Sequence, residues 1–204
     1  MSYGHMFYGV DLDKLKAIYG SKDESFLAEV IRAHAQDIKE NDEWFEDEIK
    51  EDGFPPTKQA LREIVLGTFG TYEGGEAMYG YALKIICEHI GHRVGADDVA
   101  EVAAHPYESQ LVTSRPPIPI PYDESDFPEI GFLSLAQIPE EIQRIDNAPK
   151  KARRTLSLSI VSLLTGGRVG RQMTNEEVGN DMAAYRRALT EALEKKLAVV
   201  SFRH

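Results

Sequence analysis

The sequence predicts an α+β fold: a single domain, mostly helical, with a small sheet that includes the N-terminal and C-terminal strands. Three observations lead there. Aromatic and β-branched runs lie at the two ends, in "YGHMFYGV" and "LAVVSFR". Between them, most segments repeat apolar residues at spacings of three and four, the period of an amphipathic helix. The 204 residues, 42% hydrophobic and 28% charged, suffice to bury a real core.

Residues 3 to 10 read as the first strand, ending at Asp11. Asp11 then caps a helix that carries Leu12, Leu15, Ile18 and Tyr19 and stops at Gly20. Ser21 and Glu24 form a capping box that opens a longer helix, whose apolar face runs Leu27, Ile31, His34 and Ile38. A histidine in such a stripe is read as a hydrogen-bonded residue at the edge of the core. After the turn "GFPP", a helix capped by Thr57 and closed by Gly67 buries Leu61, Ile64 and Val65. The glycine-bearing loop "GTFGTYEGG" leads into a helix from Glu76 to Ile90, and a short helix is expected near Ala96 to Ala104.

Residues 105–128 hold six of the ten prolines. Proline fixes φ, lacks an N–H and pushes its predecessor towards extended geometry. This stretch is expected to be an extended connection pinned to its own domain; a proline-rich ligand is the alternative. "IGFL" then gives a short strand, followed by a helix with Ser134 as cap and Leu135, Ile138, Ile142 and Ile145 on one face. In "TLSLSIVSLLTGG", alternation favours a strand, while length and the Gly166-Gly167 stop favour a helix. Thr174 and Glu177 form a second capping box, and Val178, Met182, Tyr185, Leu189 and Leu193 make the stripe of the last helix, which runs into the closing strand.

Net charge is −11, from 23 basic and 34 acidic residues, which argues against general nucleic-acid binding because neutralising phosphates needs a basic face. The charge is uneven. Residues 37–52, "DIKENDEWFEDEIKED", hold nine carboxylates against two lysines, whereas residues 150–171 hold six basic side chains and no carboxylate. No apolar run approaches the ~20 residues of a bilayer span, and "MSYGHMFYGV" lacks the pattern of a cleaved signal. A single cysteine excludes an internal disulfide and fits a reducing, cytoplasmic setting.

The stretch "CEHIGH", Cys87 to His92, brings the only cysteine together with two of the six histidines and one carboxylate. On a helix, Cys87 and His89 lie about 160° apart around the axis, so they cannot share an ion. Gly91 is placed as the left-handed residue that ends the helix, which takes His92 out of it. The stretch reads as a helix terminus, with no metal and no cofactor expected. "TGGRVGR" offers Arg168 and Arg171 as candidate phosphate ligands, without the lysine or the spacing of a P-loop. Tyr3, Phe7, Tyr8, Tyr79 and Tyr81 are read as core aromatics rather than a pocket lining. No nucleophile elbow or EF-hand spacing is present.

The opening "MSYGHMFYGVDLDKLKAIYGSKD", the middle "MYGYALKIICEHIG" and the later "DFPEIGFLSLAQI" resemble an uncharacterised bacterial family of domains of unknown function. More loosely, the order of parts is similar to that of YfbM-like proteins: a first strand into helices, a strand with "L-x-x-x-x-I" opening a helix (Phe132 to Ile138), and a long helix running into a final apolar strand (Tyr185 to Phe202). The resemblance implies an α+β fold and a bacterial, cytoplasmic setting, and it carries over no catalytic residue.

Two classes of function stay open. The first is a non-catalytic binding protein that holds a basic protein partner, such as a toxin, through Asp42, Glu43, Trp44, Phe45 and Asp47, an aromatic anchor in an acidic frame. The second is a small enzyme, or a phosphate- or nucleotide-binding protein, with a loop-built pocket around Tyr72, His89, His105 and the Arg168–Arg171 turn. The binding class is the favoured expectation.

Overall fold

The computed structural model describes residues 5–95, 115–123, 128–147 and 175–203. The chain opens with strand β1 (His5–Val10) and helices α1 (Leu12–Ile18), α2 (Glu24–Ala33) and α3 (Ala35–Trp44). A π-helical turn (Glu48–Asp52) precedes α4 (Thr57–Leu66) and α5 (Glu76–Ile90), and β2 (His92–Arg93) follows directly. The later elements are β3 (Glu129–Leu133), α6 (Ile138–Asn147), α7 (Asn175–Glu194) and β4 (Ala198–Arg203). The fold is α+β, mostly helical, with a four-stranded antiparallel sheet in the order β2-β1-β4-β3. Both terminal strands belong to it, and they form its centre.

Side chains alternate across a strand, and here both faces are buried. Tyr8, Val10, Ile130, Val200 and Phe202 point into one core with the helices α1 to α5. Phe7, Leu133 and Val199 point into a second core with α6 and α7, through Ile138, Ile145, Tyr185 and Leu189. Two-sided burial explains the nearly unbroken apolar run of "AVVSF" at the end of the chain. α5 is buried around most of its girth, from Met78 and Tyr79 to Ile86 and Cys87, because β1, β2, α1, α2 and α4 surround it. Ile118 and Ile120, in the proline-bearing residues 115–123, pack into the first core without helix or strand.

Helix ends depart from the expected ones in five places. Asp11 caps α1 as its position predicts, accepting from the amides of Asp13 and Lys14. α2, however, is capped by Asp23 and not by the Ser21–Glu24 box: the Asp23 carboxylate stands nearer the first turn and takes the amides of Ser25 and Phe26. The expected long helix breaks at His34 (φ −111°, ψ 30°), with no glycine or proline to announce it. Thr57 is the first residue of α4 rather than its cap, because Asp42 of α3 accepts the Thr57 amide at 2.8 Å and leaves the buried Thr57 hydroxyl without a partner among the described residues. Ser134 closes a turn with the Gln137 side chain, and α6 starts only at Ile138.

Gly91 ends α5 in an extended conformation (φ −124°, ψ −149°) and not a left-handed one. Its glycine identity follows from close approach: a Cβ there would stand 2.3 Å from the Gly9 carbonyl oxygen of β1. The helix can therefore turn straight into β2. The short helix expected near Ala96–Ala104, the basic residues 150–171 and Tyr3 lie outside the described residues. Among the described residues, no helix is long and apolar enough to cross a membrane.

Candidate functional site

The acidic run folds into α3 and the π-helical turn. Trp44, the last residue of α3, is 74% exposed, whereas the neighbouring Phe45 packs on the first core with its ring 5.2 Å from that of Tyr81. The difference is geometric: α3 rests on α2 and α4, and adjacent residues on a helix point about 100° apart. The two aromatics of the acidic run thus have opposite fates.

The carboxylates of this face divide in the same way. Asp42 is spent on the amide of Thr57. Glu43 pairs with Lys39 at 3.2 Å, and Glu46 accepts from Lys50, which holds the Glu46 carboxyl below its usual range. Both lysines of the run are therefore matched one turn away. Asp47, Glu48, Glu51 and Asp52, on and just before the π-helical turn, make no ion pair among the described residues. An open groove of about 410 Å³ on this face is lined by Ile38, Ile49 and Pro56 together with Glu43, Glu46 and the lysines Lys39, Lys50 and Lys58.

A second polar constellation looks at first more like a reaction centre. The Glu63 carboxylate, 6% exposed, accepts from Tyr72 Oη (2.9 Å), Gln59 Nε2 (2.7 Å), the Gly70 amide (3.0 Å) and Tyr79 Oη. Burial alone would raise its pKa; the hydrogen bonds from Tyr79, Gln59, Gly70 and Tyr72 outweigh that and hold it below the usual glutamate value. Every donor comes from α4, from α5 or from the loop between them, so the network fastens that loop. A carboxylate engaged by four donors is ionised and poorly placed to take a proton from a substrate.

The chain matches, over residues 1–204, the family model described as a domain of unknown function (DUF7691). It belongs to that family. No curated protein and no solved structure matches it.

In this DUF7691 protein the residues of the alternative loop-built pocket do not meet in the described structure. Tyr72 is engaged with Glu63, whereas His89 faces Phe26 and His34, each with ring centroids 5.5 Å away, and Glu29 at 3.8 Å. His105, Arg168 and Arg171 lie outside the described residues. Cys87 is fully buried and points away from His89, as the helical geometry of the sequence requires, and burial pushes its thiol pKa far up. His92 has left the helix and stands 2.8 Å from Lys195 Nζ.

Sequence reasoning missed one grouping of this DUF7691 chain. His34 at the α2–α3 break, Asp37 one turn on and Glu88 of α5 bring one ligand atom each within 4.8 Å of the others. The signal lay in His-x-x-Asp, a pair that only a helix turn superposes, and the third member comes from a distant helix.

Proposed function

We propose that this DUF7691 protein is a non-catalytic binding protein of the bacterial cytoplasm that captures a basic protein partner on the face formed by α3 and the π-helical turn, as an inhibitor of a basic toxin would. The observation that carries the reading is Trp44, 74% exposed beside four carboxylates without ion pairs among the described residues. A large aromatic held in water is costly to keep and marks interaction surfaces. Burying a tryptophan removes roughly 150–250 Å² from water, which at ~25 cal/mol per Å² is about 4–6 kcal/mol before ordering costs. Single exposed carboxylates contribute less affinity and act mainly on partner choice and association rate. Trp44 is the anchor, and Asp47, Glu48, Glu51 and Asp52 select a basic surface. Phe45 packs beneath this face against Tyr81, and Asp42 ties α3 to the start of α4. The buried lone cysteine fits a reducing compartment.

The test is affinity capture with the full chain, followed by identification of the captured protein. Wild-type protein should retain a basic partner in a salt-sensitive manner. Changing Asp47, Glu48, Glu51 and Asp52 together to lysine should abolish retention. Unchanged capture by the charge-reversed protein would remove this reading.

A further inference from the structure

We infer that His34, Asp37 and Glu88 form a binding site for one divalent first-row transition-metal ion. The three side chains come from two elements packed against each other, the α2–α3 junction and α5, and their ligand atoms lie within 4.8 Å of one another. His34 Nδ1 and Asp37 Oδ2 are 3.1 Å apart. Two ligands about 2.0–2.1 Å from a tetrahedral ion stand roughly 3.3 Å from each other. This pair already has the spacing of one edge of a coordination sphere. Glu88 is exposed, and a change of rotamer brings its carboxylate the remaining ~1–2 Å.

The local structure serves this arrangement. A histidine and a carboxylate at i, i+3, joined by a carboxylate from a facing helix, is how helical packings build metal sites. The break at His34 turns its ring towards α5, and the ring makes no capping bond to either helix. His34 is held in one orientation by packing: its side chain is only 13% exposed, with the His89 ring edge-on against it and Phe26 behind His89. Such a supporting layer fixes the direction of a ligand. The Lys84 ammonium lies within electrostatic reach of both carboxylates, Glu88 and Asp37, and an entering ion competes with it for their charge.

One imidazole with two carboxylates suits zinc or manganese rather than a soft monovalent ion, with water completing the sphere. Cys87 takes no part, because it faces the core. This inference does not rest on the partner-binding reading.

The experiment is calorimetric titration of the untagged, chelator-stripped full chain with zinc chloride and, separately, manganese chloride. We expect saturable one-to-one binding of at least one of them. Asp37→Asn and Glu88→Gln, both at exposed side chains, should each weaken it by roughly tenfold or more, with unchanged metal-free melting. His34→Ala should abolish it; if that variant does not fold, the two carboxamide variants decide. His92→Ala should leave binding as in the wild type. Absence of saturable binding by both ions, or binding that survives Asp37→Asn and Glu88→Gln at full strength, would overturn the inference.

Discussion

Glu63 and Cys87 are buried polar groups with opposite solutions to the same problem. Glu63 keeps its charge because four donors replace its water, whereas Cys87 keeps its proton because nothing near it favours a thiolate. Glu63→Gln turns one acceptor into a donor that faces other donors, and it should cost roughly 2–4 kcal/mol in a urea melt. The acid profile follows from the direction of the shift. A carboxyl whose folded value lies below its unfolded value of 4.5 adds stability that is complete above that pH and lost as pH falls through the folded value. Urea midpoints measured from about pH 6 down to about pH 3 should therefore fall less steeply for Glu63→Gln than for wild type. Cys87 should resist thiol-modifying reagents in the native protein and react at an ordinary rate only after denaturation, which a colorimetric thiol assay reads directly.

At the scale of elements, Asp42 and Asp47 make the sharpest contrast. Both belong to one acidic run, yet Asp42 caps the start of α4 while Asp47 has no ion pair among the described residues. Asp42→Ala should lower stability by about 1 kcal/mol, and Asp47→Ala should stay within about 0.5 kcal/mol of wild type, as thermal melts of the two variants will show. The sequence makes the helices themselves legible, because Leu61, Ile64 and Val65 or Tyr185 and Leu189 repeat with the helical period and are buried as the period demands. The caps are less legible. Ser21, Asp23 and Thr57 are all residue types that cap, and only the approach of neighbouring elements selects among them; α3 brings Asp42 to Thr57, which no local pattern records. The break at His34 likewise lacks a glycine or proline. Gly91 was readable as the end of α5, but its cause, the proximity of Gly9 in β1, is tertiary.

Across the whole molecule, the sheet is covered on both faces, and the acidic face sits on α3, whose main neighbours are α2 and α4 and not the sheet. A partner can therefore engage α3 without disturbing either core, so Trp44→Ala should weaken capture and leave the melting temperature unchanged. The residues of the proposed partner-binding face stand together in the sequence, because its carboxylates and Trp44 are neighbours in the chain. The His34, Asp37 and Glu88 grouping could not, because packing of α5 against the α2–α3 junction creates it. Trp44 is the protein's only tryptophan, so its fluorescence reports the proposed surface alone. In the free protein the emission should be that of an exposed indole, strongly quenched by acrylamide. Saturation with the captured basic partner should shift the emission to shorter wavelength and suppress the quenching, whereas emission and quenching unchanged by a saturating partner would contradict the assignment of this face.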